Sequence, residues 1–328
     1  MRHRRVGRSG LVVSVVGLGC NNFGRGLDTA SARKVVDAAL DEGITLFDAA
    51  DIYGSQKGSC ESMLGEIFAG RRDSVILATK FGFDMDGENG PDWGARGSRR
   101  YIRRAVEGSL RRLRTDYIDL YQYHRPDGVT PLEETLSALD ELVKEGKVRY
   151  VGSSNLAAWE VVECDWLSRR EGVARFVSAQ KEYSLLERGA EAEFVPACLH
   201  CGVGFLPYFP LASGRLTGKY RRGDGASPDH RLSGEAPQWT IGSTARPWNE
   251  LLSDEVFDRI EALEAYAAER DISLLEVAVG GLLARPGVTS VIAGATSAEQ
   301  VRANAAAAEW IPSAADLVAI DAVPGALR

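Results

Sequence analysis

The stretch "YIDLYQYHRPDGVTPLEETLSALDELVKEGKVRYVGSS" (117–154) holds two short runs rich in β-branched and aromatic residues, 117–124 and 148–154, on either side of an amphipathic segment. Thr130 and Pro131 stand at that segment's first turn and Gly146 at its stop, where helices favour a capping hydroxyl, a proline and a glycine. Strand, helix and strand in this order are the signature of a parallel βαβ unit. The same alternation extends outward in both directions. "VSVVGLG" (13–19), "ITLFDAA" (44–50) and "SVILATK" (74–80) precede the unit, and "FVSAQKE" (176–182), "VGFLPYFP" (203–210) and "TSVIAGA" (289–295) follow it. Between the first two runs lies "SARKVVDAALDEG", with Ser31 as the expected cap and Gly43 as the stop. Eight nearly continuous apolar runs alternating with helix-period segments predict an α/β fold, a (β/α)8 TIM barrel whose strands are buried on both faces.

At 328 residues the chain exceeds the ~100–200 residues usual for a domain, yet single barrels run to about 250 residues or more, so 1–328 is expected to form one barrel domain. A chain of this size buries roughly 75% of the surface its unfolded form exposes and needs no staples. Two connections exceed the short-loop norm, residues 81–98 after the third strand and 211–250 after the seventh. Both follow strand C-terminal ends, the face on which barrels build their sites. An N-terminal β-hairpin and extra C-terminal helices complete the expected architecture. One helix covers about 253–270, another "SLLEVAVGGLLARPG", and the tail 308–328 lies on the barrel's outside.

The formal net charge of −7 argues against a nucleic-acid footprint, which shows as a basic domain. The arginine-rich "SRRYIRRAVEGSLRRLRTD" (98–116) places Ile102, Ala105, Val106, Leu110 and Leu113 at helical spacing, so its arginines read as a solvated helix face. In "MRHRRVGRSGLVVSVVGLGC" the apolar run between Gly10 and Gly17 has six residues, against the ~7–15 of a signal segment. No run approaches the ~18 apolar residues of a membrane span, and the chain is expected to be cytoplasmic. Five cysteines (Cys20, Cys60, Cys164, Cys198, Cys201) suit reduced thiols. "CLHC" (198–201) lacks a second Cys or His pair, so it reads as a helix end and no metal is expected.

A strand that finishes on a polar residue places that group at the barrel mouth. Asp48 and Tyr53 close the second strand in "FDAADIYG" (47–54), Lys80 closes the third and His124 the fourth. A phenol with an ordinary pKa near ~10 exchanges protons poorly at neutral pH. A neighbouring ammonium favours the phenolate, so Lys80, aimed by Asp48, is expected to bring Tyr53 toward the neutral range while His124 positions a carbonyl oxygen. Such a set fits proton donation to oxygen as hydride reaches carbon, and the reverse oxidation. Asp51 is expected at the pocket rim or facing solvent.

These strings, with "ESMLGEIFAGRRDSVILATKFG", "SLRRLRTDYIDLYQYHRPD", "GKVRYVGSSNL" and "PLASGRLTGKY", resemble the aldo-keto reductase superfamily. The resemblance lies in the branch of bacterial general oxidoreductases and potassium-channel β-subunit-like proteins, and covers nearly the whole chain. It implies Tyr53 as general acid/base, Asp48 and Lys80 tuning it, and His124 orienting the substrate. It also implies that Ser154, Asn155 and Gln180 hold the nicotinamide amide, with Tyr208 stacking on the ring. Pyrophosphate contacts are implied from the 209–219 loop: Phe209, Leu211, Ser213, Gly214, Leu216 and Lys219. "GLGCNNFG" lacks Rossmann spacing and "GRLTGKY" fails as a P-loop. At the adenosine end the resemblance implies Gly294, Thr296, Gln300 and Asn304.

Many relatives carry Lys or Arg where this chain has Thr296, which offers one hydroxyl instead of a bidentate grip on a 2'-phosphate. NADP(H) is the expected cofactor, with NAD(H) as the alternative, and Arg302 stands nearby. The expected substrate is a small carbonyl compound or a sugar. Asn21, Asn22, Phe23 and Trp93, with Asp51 and the 221–250 segment, are candidate pocket residues; Trp93 and Trp239 serve equally as loop anchors. The expected function is aldehyde or ketone reduction and alcohol oxidation. The alternatives are a sugar dehydrogenase or keto-sugar reductase on the same fold, or a cofactor-holding redox sensor with slow turnover.

Overall fold

A computed structural model of the chain describes residues 1–223 and 248–323. It opens on an antiparallel hairpin, β1 (His3–Arg5) and β2 (Val12–Ser14), and continues into a closed barrel of eight parallel strands. The barrel strands are β3 (Val16–Gly19), β4 (Leu46–Asp48), β5 (Ile76–Phe81), β6 (Ile118–Tyr123), β7 (Val148–Ser154), β8 (Phe176–Glu182), β9 (Gly204–Tyr208) and β10 (Val291–Gly294). They pair in chain order, and β10 closes on β3. The run 13–19, expected as one strand, divides at Val15: its first part belongs to the hairpin and its second to the barrel. No helix among the described residues is long and apolar enough to cross a membrane.

Strand side chains alternate between the barrel lumen and the helical shell, and that period of two builds the site. The lower lumen is filled by Leu46, Ala78, Leu120, Leu206 and Ile292, packed against Val6, Leu11 and Val13 of the hairpin segment. The hairpin thus plugs the floor. Two residues further along β4, β5 and β6 stand Asp48, Lys80 and Gln122, all buried. A dry apolar floor beneath a polar layer gives the charges above it a rigid, low-dielectric base.

The shell consists of α1 (Thr29–Asp41), α2 (Ser59–Ile67), α3 (Arg99–Leu113), α4 (Leu132–Lys144), α5 (Ala158–Glu171), α6 (Phe194–Cys201), α7 (Trp248–Leu251), α8 (Asp254–Ala268), α9 (Leu274–Leu283), α10 (Ala298–Ala307) and α11 (Ala314–Ala322). Ser31 is not the cap of α1: the helix begins two residues earlier, and Asp28 accepts the Ser31 amide at 2.8 Å. An ionised carboxylate there also meets the positive end of the helix dipole. Pro131 is itself the N-cap residue of α4, and Asp127 accepts the Thr130 amide and hydroxyl, each at 2.8 Å.

In α3 the apolar residues picked out by spacing are buried, and its arginines reach acidic partners, among them Arg103 with Glu145 at 2.7 Å. Cys198 and Cys201 are buried at the end of α6, which stops at Gly202. The tail helix α11 packs on the outside, where Tyr266 donates to Asp316 and Arg259 to the Val323 carbonyl. The contribution expected from Trp239 and most of the 221–250 segment lies outside the described residues.

Candidate active site

Lys80 is 1% exposed, and its ammonium donates to Asp48 Oδ2 at 2.6 Å, the Ala49 carbonyl at 2.8 Å and Tyr53 Oη at 3.2 Å. Three protons on a buried ammonium meet three acceptors, which is what a desolvated cation requires. The other Asp48 oxygen accepts from Gln180 at 2.7 Å and from Gln122 at 3.2 Å. Gln122 was not anticipated from the sequence, although it lies two residues before His124 and therefore on the same strand face.

Because an ammonium can only donate, the Lys80 contact occupies a lone pair of Tyr53 and leaves the phenol proton to point elsewhere. The expectation of a phenol lowered toward neutrality is not met. Burial raises the Tyr53 pKa above its ordinary value and outweighs the Lys80 ammonium, while the Asp48 charge raises it further. Tyr53 therefore stays protonated through the neutral range. For Lys80, burial pulls the pKa down, but the Asp48 carboxylate and Tyr53 phenol more than offset it, and the net shift is upward. His124 is buried, edge-on to Tyr53 at 6.0 Å and to Phe83 at 4.7 Å between ring centroids. Burial, then Lys80 and Arg125, hold its pKa well below the usual value, so it presents a neutral imidazole. Phe83 is a second residue the sequence left unread; it is the second aromatic after Lys80 in "KFGF".

Asp51 is neither at the rim nor facing solvent. It has no exposed surface, its amide donates to the Lys80 carbonyl at 3.1 Å, and neither carboxyl oxygen finds a donor of good geometry. The charges that act on Asp51 come from Glu61 of α2 and Arg112 of α3, which lie close to the turn after β4. Behind it, Glu61 accepts from Thr79 at 2.6 Å and from Arg112 at 2.7 Å. Gly65 makes that contact possible: a Cβ there would stand 2.4 Å from the Arg112 carbonyl and hold α3 away.

Burial and then the Glu61 charge push the Asp51 pKa well above the carboxylate range, so its folded form keeps a proton that the unfolded chain gives up. Stability contributed by such a group falls as pH rises from the unfolded value toward the folded one. Asp51→Asn removes the titration. Its melting temperature relative to the native chain is expected to climb as pH rises above the ordinary carboxylate value of about 4, and a pH-independent difference would show that Asp51 is ionised in the folded protein.

The residues implied for a dinucleotide line the same mouth. Asn155 has φ 60°, a left-handed backbone that Asn tolerates, and its amide nitrogen donates to the His124 carbonyl at 3.0 Å and to Ser154 Oγ at 3.1 Å. Tyr208 donates to Asn155 Oδ1 at 2.9 Å, which fixes the outer end of its side chain. Asp48 can only accept, so the Gln180 nitrogen must face it.

Beyond Phe209 (φ 52°), the loop holds Ala212, Ser213 and Gly214 in succession at positive φ, and Ser213 Oγ is buried without a partner. Strain of this kind persists where function holds it in place. A Cβ on Gly214 would lie 2.7 Å from Lys219 Cε, so glycine lets the lysine lie across the loop that Leu211 anchors. These features fit an anion. Leu216 does not: its side chain is core and its amide donates to the Leu211 carbonyl at 3.2 Å. At the far end, the amide and hydroxyl of Thr296 both donate to Gln300 Oε1, Gly294 is exposed, Asn304 is buried in α10, and Arg302 faces solvent.

Asn21 and Asn22 are half-buried beside Gly294, in the loop after β3. Phe23 has no exposed surface and belongs to the core, so it offers no face to a ligand. Trp93 is 78% exposed, with the Arg100 guanidinium 5.0 Å over its ring.

Comparison with known proteins gives a consistent result. The model of the aldo/keto reductase family matches residues 15–323. The chain is 37% identical to the uncharacterized oxidoreductase YrpG of Bacillus subtilis, over 94% of this chain and 91% of that protein. It is 34% identical to a probable voltage-gated potassium channel subunit beta of Oryza sativa, over 95% and 92%. It is 36% identical to the L-glyceraldehyde 3-phosphate reductase of Escherichia coli K12, over 93% and 86%.

Proposed function

The chain belongs to the aldo/keto reductase family of oxidoreductases, and from that premise we propose that it interconverts a small aldehyde or ketone and its alcohol, with residues 1–328 acting as one domain. The observation that carries the reading is the Tyr53 hydroxyl held at 3.2 Å by a buried Lys80 that Asp48 keeps charged. A bound reduced nicotinamide supplies the hydride. Tyr53 gives its proton to the carbonyl oxygen, and neutral His124 donates a second hydrogen bond that fixes that oxygen. As the phenolate forms, the ammonium already in contact stabilises it without rearrangement. Ser154, Asn155 and Gln180 would hold the carboxamide of such a cofactor, Tyr208 would offer its ring an aromatic face, and the 209–219 loop with Lys219 would take the pyrophosphate.

NADP(H) is the cofactor this resemblance favours, and NAD(H) is the alternative because Thr296 already spends its donors on Gln300. For the substrate, Arg125 is exposed at the mouth beside His124, its guanidinium 5.9 Å over Phe83, with no carboxylate partner among the described residues. An anionic group on a short aldehyde would meet it. The test is a panel of aldehydes, ketones and sugars, including glyceraldehyde with and without its 3-phosphate, run with NADPH and NADH in parallel. Oxidation of the reduced cofactor with at least one carbonyl is expected. No rate above background with any member sinks the proposal, and tight cofactor binding in that case would favour the sensor reading.

A further inference from the structure

We propose that Gln122 is a positioning residue for proton transfer, one that clamps the Asp48 carboxylate so that Lys80 stays aimed at the Tyr53 hydroxyl. The role rests on the carbonyl reduction proposed for this site. Gln122 has no exposed surface, so it offers a substrate nothing to bind. It belongs instead to a closed ring of three hydrogen bonds. Its amide nitrogen donates to Asp48 Oδ1 at 3.2 Å, the Gln180 nitrogen donates to the same oxygen at 2.7 Å, and that nitrogen also donates to Gln122 Oε1 at 2.9 Å.

Asp48 sets the directions in this ring. An ionised carboxylate can only accept, so both glutamines turn nitrogen toward it, and Gln122 is left with its oxygen facing Gln180. Each amide thereby holds the other in place. The second oxygen, Asp48 Oδ2, accepts from Lys80 at 2.6 Å. Because a carboxylate is planar, pinning Oδ1 stops rotation about the Cβ–Cγ bond and fixes where Oδ2 stands. The Lys80 ammonium and its 3.2 Å contact with Tyr53 Oη inherit that position. Hydrogen bonds to an ionised group are the strong ones, which suits them to this clamp.

The fold leaves a path for the ring. Gln122 pairs in register with Lys80 on β5 and Gly152 on β7, while Gln180 lies on β8, so the bond between the two glutamines passes over β7. A Cβ at position 152 would stand 3.3 Å from Gln122 Cγ and would overlap Ser178 Oγ. Glycine keeps that path open. A residue that only filled space could be leucine, as Leu120 is two positions earlier on the same strand, packed in the apolar floor.

Two substitutions separate positioning from packing, with kcat for carbonyl reduction followed from about pH 6 to about pH 9. Gln122→Leu removes the ring, and kcat is expected to fall about 10- to 100-fold with KM changed by less than about 3-fold, as misplacement of a reacting group does. Gln122→Glu keeps the shape of the amide. Two carboxyls this close do not both ionise readily, and the introduced one, while protonated, donates to Asp48 and accepts from Gln180 as the amide does. Its kcat is expected to lie within about 3-fold of native near pH 6 and to fall to the Gln122→Leu level as pH rises and that proton leaves. A packing role predicts the reverse order, with leucine tolerated and glutamate poor at every pH.

Thermal melts of the cofactor-free chain over the same interval give a readout without turnover. The introduced carboxyl titrates above its unfolded value of about 4.3, so Gln122→Glu is expected to lose melting temperature relative to native as pH rises, and Gln122→Leu to differ from native by a constant amount. A constant difference for Gln122→Glu would mean that no proton is shared with Asp48, and overturns the ring. If Gln122→Leu does not fold, the glutamate profile and melts decide the matter. A native chain with no turnover fails the functional reading and this role with it. An active native chain in which Gln122→Leu keeps native kcat, or in which Gln122→Glu fails to recover at low pH, overturns the role alone.

Discussion

Tyr53→Phe is expected to lower kcat for carbonyl reduction by about 100- to 10,000-fold, the usual contribution of a positioned general acid. In barrier terms this is about 3–5 kcal/mol. The substitution removes one oxygen. Lys80 keeps its bonds to Asp48 and to the Ala49 carbonyl, and the ring keeps its edge contact with His124, so fold and cofactor affinity should both persist. Steady-state kinetics beside a cofactor titration separates the two effects. A variant that retains full kcat would assign the proton to another group, and one that loses cofactor affinity in step with rate would make Tyr53 a packing residue.

Lys80→Met is expected to cost about 3–5 kcal/mol of stability as well as most of the activity, because it leaves Asp48 buried with an uncompensated charge. The two glutamine amides on Asp48 Oδ1 soften that loss without neutralising it. Adding Asp48→Asn should return much of the stability, since both charges are then gone, and none of the rate. Denaturant melts of the two single variants and the double variant form the cycle. If the double variant is less stable than either single one, the pair is not coupled as the geometry implies.

Much of this architecture was legible before any coordinates. Every barrel strand coincides with an apolar run, because strands buried on both faces leave no alternation to confuse with a helix. Asp48, Lys80 and His124 were readable because a charged or ionisable residue at the end of an apolar strand has few structural explanations. Gln122 was hidden by the same continuity: inside "LYQYH" nothing but its parity with His124 says that it faces the lumen. Asp51 was misread because carboxylates are seldom fully buried, and only the tertiary packing of α2 and α3 over the turn shows why this one is. The pKa of Tyr53 went the other way for a related reason, since a sequence shows that a lysine is near but not how much water the fold removes. Leu216 and Phe23 show the limit of carrying a role by position, for a backbone can keep its course while a particular side chain turns into the core.

The dependence of kcat on pH for carbonyl reduction tests the central claim most directly, namely that a protonated phenol raised by burial donates to the substrate beside a neutral histidine. Tyr53 lies above its ordinary value of 10.0 and His124 well below 6.5. Neither group changes state from about pH 7 to about pH 9. The rate is expected to stay level across that interval and to decline only above the ordinary range of a phenol, while oxidation of the alcohol rises as pH increases. A break in the reduction profile near pH 7 to 8 would contradict this account, because it would require either a phenol lowered by Lys80 or a histidine that titrates.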